Sequence, residues 1–171
     1  TVVNTLNNPN DFLNNYARHV EGFEDVVSGD LPGEITTGGN VVVADTDVLV
    51  IRTVDSPDLQ LTANMVNSSS DPVTVIDLDP AAPDTPTAGD IMLVSDCGGS
   101  AIFEVTGFDA GTGTIVHDAG GGTPGNSSKN LARRYTAGAQ LFTLRTATYF
   151  IRAHAQGVPG LWRRVGTGDP Q

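Results

Sequence analysis

Residues 89–108, GDIMLVSDCGGSAIFEVTGF, leave a chain few ways to fold. Two apolar strand-like runs, DIMLVS and SAIFEVTGF, are separated only by DCGG. So short a link joins antiparallel neighbours, because a parallel crossover needs a dozen residues or more. Gly98 and Gly99 offer the positive φ that tight turns use. Ala101, Phe103 and Val105 alternate with Ile102, Glu104 and Thr106, which is the period of a strand. The only cysteine, Cys97, lies in this turn beside Asp96. The stretch is therefore either a reactive site or a hairpin that carries a thiol.

The rest of the chain is punctuated in the same way. NVVVADTDVLVIRTV (40–54), LQLTANMV (59–66), VTVIDL (73–78), TIVH (114–117), AQLFTLRTATYFIRAHA (139–155) and GVPGLWRRV (157–165) read as strands. In the first, Val48 and Val50 alternate with Leu49 and Ile51, so both faces are apolar, as in a strand covered on two sides. In the longest, Phe142, Leu144 and Phe150 are expected to be buried. DPAAPDTPTAGD (79–90) is a connector. Near the start, Phe12, Leu13, Tyr16, Ala17, Val20, Phe23 and Val27 recur at helical spacing after a capping Asn10 or Asp11, and SGDLPGE ends the run. With 20 glycines and 10 prolines in 171 residues, these short runs predict one mainly β domain. Its expected form is an antiparallel sheet meander with a short N-terminal helix.

The net charge of −11 is unevenly spread. Residues 1–128 hold 19 of the 20 acids with only Arg18 and Arg52 opposing them. Residues 129–171 hold Asp169 against Lys129, Arg133, Arg134, Arg145, Arg152, Arg163 and Arg164. So acidic a body repels nucleic acid, which argues against a nucleic-acid partner. The basic segment either pairs with acidic strands of its own fold or makes the molecule polar, with ends that attract in an assembly.

The residue types that carry chemistry are sparse. A nucleophilic cysteine needs a base and oxyanion donors. His19, His117 and His154 stand in no motif with Cys97, and Asp90, Asp96 and Glu104 disfavour its thiolate. A single cysteine makes no internal disulfide, so Cys97 reads as a structural thiol or as half of a bridge to a segment outside this chain. No metal-ligand spacing occurs, and DLDPAAPD has the acidity of a calcium loop without its order or its glycine. GGGTPGN lacks the lysine of a phosphate loop. NSS at 67–69 and at 126–128 fits the glycosylation sequon, a frequent chance match. Neither a catalytic site nor a cofactor or metal is expected.

Four segments in order carry a resemblance. They are TDVLVIRTVD (46–55), GDIMLVSDCGGSAIFEVT (89–106), IVHDAGGGTPGNSSKNL (115–131) and YTAGAQLFTLRTATYFIRAHAQGVPGLWR (135–163). Together, over residues 40–164, they resemble the globular part of PilW-like minor pilins of type IV pili. The resemblance implies an α+β pilin-type domain and a non-enzymatic subunit that helps to initiate, tip or build a pilus. It implies other pilin or minor pilin subunits as partners, and possibly a second chain that completes the sheet. It also implies an extracellular pilus or cell-surface location in a Gram-negative bacterium. The inner-membrane anchor before assembly is an apolar N-terminal helix that lies outside Thr1–Gln171, as does a further C-terminal segment, so the chain is read as truncated at both ends. Arg133, Arg134, Arg163 and Arg164 are the expected assembly surface. A minor pseudopilin of a type II secretion system is one alternative. An extracellular carbohydrate-binding or adhesive domain using Tyr135, Tyr149 and Trp162 is another.

Overall fold

The computed structural model describes residues 1–27, 30–36, 42–75, 85–168 and 170–171. It is mainly β, and the strand ladders of the described residues are antiparallel except at one short strand. The chain divides into two compact units. The first comprises Thr1–Pro9 and Val54–Leu144, the second Asn10–Thr53 and Arg145–Gln171. Residues 40–41 of the first predicted strand, 76–78 of the third and 79–84 of the connector lie outside the described residues.

In the first unit, β5 (Ile91–Asp96) and β6 (Gly99–Glu104) form the predicted hairpin, in register from Ile91↔Glu104 to Asp96↔Gly99. β1 (Val2–Asn4) joins β6 in parallel. β5 also pairs with the first residues of β9 (Gln140–Ala153), so these strands are not in chain order. Three short strands, β4 (Val73–Thr74), β7 (Gly107–Asp109) and β8 (Thr114–Val116), form a second small sheet. The core takes Met92, Val94, Ala101, Phe103, Val105, Ile115, Tyr135 and Leu141. β6 is buried on both faces: Ala101 and Phe103 point one way, Ile102 and Glu104 the other, and all four are inaccessible. Burying Phe103 alone contributes about 1.5–3 kcal/mol.

In the second unit, β2 (Val20–Val26), β3 (Thr46–Gln60), β9 and β10 (Pro159–Val165) lie in that order. Residues 46–53 of β3 and 145–153 of β9 belong to this unit. Val26, Ile35, Val48, Val50 and Phe150 form its core, with Phe12, Phe23, Leu31, Val42 and Trp162 packed against it.

Three expectations are corrected. The helix predicted over 12–27 is a single 3₁₀ turn, Phe12–Asn14, and Val20–Val26 is a strand. The apolar residues chosen for helical spacing also suit an edge strand, because Glu21 and Phe23 turn inward on a period of two. The carbonyls of Phe12 and Arg18 are taken by the Arg52 guanidinium, at 2.5 and 2.9 Å, where a helix would give them to its own amides. Leu49 is 42% exposed, so β3 is covered on one face and not on two. In β9, Phe150 is buried as expected, but Phe142 and Leu144 are half-buried and Leu141 takes the core position.

Candidate functional site

The β5–β6 turn is built by its aspartate. Asp96 Oδ1 accepts hydrogen bonds from the amides of Gly98 (2.7 Å) and Gly99 (3.2 Å), an Asx turn. Oδ2 meets Arg133 Nη2 at 3.1 Å. The Arg133 guanidinium also lies over the Tyr135 ring, 5.4 Å from its centroid. A Cβ on Gly98 would overlap that guanidinium, the far end of a flexible side chain. Tyr135 is fully buried, burial raises its pKa, and its hydroxyl has no hydrogen-bond partner among the described residues.

Cys97 stands exposed and free at the tip of this turn. The turn is shaped by Asp96 and Gly98, and the exposed sulfur packs into neither core. An open groove of about 620 Å³ runs beside it, lined by Ser95, Asp96, Arg133, Thr136 and Gln140 among others. None of the lining residues is a histidine. His117 is buried against Phe103, with Nε2 2.9 Å from the Asp71 carbonyl, and burial lowers its pKa. His154 stacks on Trp162. The groove therefore has a thiol and an ion pair but no imidazole to activate the thiol. No group of three or more metal-ligating side chains occurs among the described residues.

The four arginines proposed as one surface have separate environments. Arg133 holds Asp96, and Arg134 donates to the Val66 carbonyl at 2.8 Å. Arg163 is exposed on β10. Arg164 is a correction: it is 4% exposed, with its guanidinium on the carbonyls of Gly168, Ile35 and Thr167 at 2.9, 3.2 and 3.1 Å. It points inward from β10 next to Arg163, which points outward, as successive strand residues must. It is a scaffold for loops and presents no charge at the surface.

The feature that the sequence reading missed is Glu104. Its carboxylate is buried and accepts amide hydrogen bonds from Gly122 (2.9 Å) and Gly125 (2.7 Å). Asn126 closes the same loop: Oδ1 accepts from the Glu104 amide at 2.7 Å, and Nδ2 donates to the carbonyls of Glu104 and Asp118 at 2.8 and 3.1 Å. The glycines are needed for approach, since a Cβ on Gly122 would lie 3.1 Å from Glu104 Oε1 and one on Gly125 2.8 Å from the Gly120 carbonyl. The GGGTPGN loop is thus an anion cradle whose anion is the chain's own carboxylate. A glycine-rich loop without a lysine was the available signal, because its amides must find an acceptor somewhere.

No family model matches the chain, and no curated protein or solved structure shows significant similarity to it.

Proposed function

We propose that the chain is the globular domain of a PilW-like minor pilin, a non-enzymatic subunit that acts in type IV pilus assembly through contacts with other pilins. The observation that carries this reading is the ordered run of four pilin-like segments. Three of them coincide with the sheet's backbone: 46–55 with β3, 89–106 with the β5–β6 hairpin and 135–163 with β9 and most of β10. The fourth, 115–131, holds the glycine-rich loop closed on Glu104. No helix among the described residues is long and apolar enough to cross a membrane. Any anchor in this reading is a segment outside residues 1–171.

Two of the three rings named for the carbohydrate-binding alternative lie away from an open face. Tyr135 is fully buried, and Trp162 packs on the second core with Arg152 and His154 against its ring. Sugar binding needs an open aromatic face, which these two rings do not offer.

The test is deletion of the gene in its own bacterium, followed by counting surface pili by electron microscopy. Loss or strong reduction of pili, restored by the gene carried on a plasmid, is the expected result. Normal piliation together with failure of the protein to co-purify with any pilin or pseudopilin would overturn the proposal.

A further inference from the structure

One face of the second unit's sheet carries a stripe of apolar side chains that belongs to neither core. Val48, Val50 and Phe150 point into the core, so Leu49, Ile51, Tyr149 and Ile151 take the opposite face. Val20 stands opposite Ile51 and Leu161 opposite Ile151 in the ladders, which extends that face across all four strands. Val20 is 64% and Leu161 71% exposed. Among the described residues, none of these six packs against either hydrophobic cluster. A run of apolar side chains across four strands is more than the scattered exposed residues of an ordinary surface.

The charge on the two halves of this sheet selects an occupant. On β2 and β3, Glu24 and Asp47 are exposed on this outer face, whereas Glu21 turns inward to Arg52. Of the arginines of β9 and β10, Arg145 and Arg163 are exposed on this outer face, whereas Arg152 and Arg164 share the inward parity of Phe150 and Trp162. Sheet order makes this an acidic half beside a basic half. Such a face complements itself. A two-fold axis lying in the contact plane along the strands places β2 and β3 of one copy over β9 and β10 of the other. An axis across the strands would set acid on acid. Stacking along the first axis keeps strand directions aligned, as packed sheets prefer. It also brings the Leu161 side of one copy over the β2 side of the other. There Gly22, opposite Leu49, leaves open space where a side chain would stand.

We propose that the apolar outer face of the β2-β3-β9-β10 sheet is the contact surface of a two-fold dimer of this chain, with the acidic half of each copy over the basic half of the other. Arg163, exposed on β10, lies on the basic half and faces the partner's acidic strands. The isologous geometry means that each substitution acts twice. Pilus assembly and dimerisation are independent claims: a monomer in solution would end this inference and leave the pilin reading standing.

Sedimentation equilibrium over a range of protein and salt concentrations tests it. The expected result is a dimer whose dissociation constant rises with salt, because opposite rim charges are screened. Leu161→Asp should weaken the dimer at least about tenfold. Arg163→Glu should weaken it less and reduce its salt dependence. Val20→Asp serves as the second apolar variant if Leu161→Asp alters the circular dichroism spectrum. A monomer at every concentration, or a dimer unchanged by both aspartate variants, would overturn the proposal. A dimer that Leu161→Asp breaks but salt leaves unaffected would overturn the acid-over-basic arrangement.

Discussion

Each unit buries charged side chains, and those of the two units have opposite sign. The first unit buries Glu104 and satisfies it with the amides of Gly122 and Gly125. The second buries Arg52 and Arg164 and satisfies them with carbonyls: Phe12 and Arg18 for one, Ile35, Thr167 and Gly168 for the other. Arg52 has the Glu21 carboxylate in addition, at 3.1 Å. In both units the ion orders a segment that has no ladder of its own. A loop leaves amides and carbonyls without partners, and a buried side chain with several donors or acceptors collects them. The sign of the ion follows from which end of the peptide group the loop turns inward.

The comparison predicts unequal penalties. Removing Glu104 leaves amide donors buried without acceptors, and orphaned N–H groups are less tolerated than under-satisfied carbonyls. Each unsatisfied buried group costs about 1–3 kcal/mol. Glu104→Leu is therefore the largest expected effect, about 3–5 kcal/mol lost in urea unfolding. Its loss should be accompanied by fast amide exchange at Gly122 and Gly125. Slow exchange there in the variant would mean that the loop is held by Asn126 alone.

Arg52→Met comes next, at about 2–4 kcal/mol by the same reasoning. The carbonyls it releases lie on the entry to β2, and Glu21 is 21% exposed and can turn to water. Equal losses for Glu104→Leu and Arg52→Met would remove the distinction between donors and acceptors.

A smaller effect is tied to pH. His117 is buried in the first unit and its pKa is lowered, chiefly by burial, so the folded state binds its proton less readily than the unfolded chain does. Stability from this group is complete above the unfolded value of about 6.5 and is lost as the pH falls through it toward the lowered folded value. His117→Phe should flatten the dependence of unfolding free energy on pH in that window. An unchanged slope would assign the acid sensitivity to other groups.

These features divide what could be read from the sequence from what could not. The β5–β6 hairpin was legible because every signal for it lies within twenty residues: alternation, a two-residue turn, and Asp96 to hold it. Strands β8, β9 and β10 were legible for the same reason. The helix at 12–27 was misread because the partners that decide it, Arg52 and the β3 ladder, are distant in sequence. The Glu104 cradle and the burial of Arg164 were hidden more completely. Arg164 and the Ile35 carbonyl are 129 residues apart, and nothing local distinguishes Arg164 from Arg163 except strand parity. Parity in turn depends on which face the sheet covers, and a strand apolar on both faces does not declare it.

The smallest effects belong to the turn that carries the thiol. Gly98→Ala places a Cβ where the Arg133 guanidinium lies. The guanidinium is the far end of a flexible, partly exposed side chain, so it can move aside and give up its ion pair with Asp96. Exposed pairs contribute about 0–1 kcal/mol, and the loss should stay within that range. Cys97→Ser should cost less still, within about 0.5 kcal/mol, because an exposed thiol fills no core space and no hydrogen bond of the turn uses its side chain. An exposed thiol should also react stoichiometrically with a disulfide reagent in the folded protein, at a rate that urea barely raises. A thiol that reacts only on unfolding, or a serine variant weakened by several kcal/mol, would return Cys97 to the interior and make the turn part of the core.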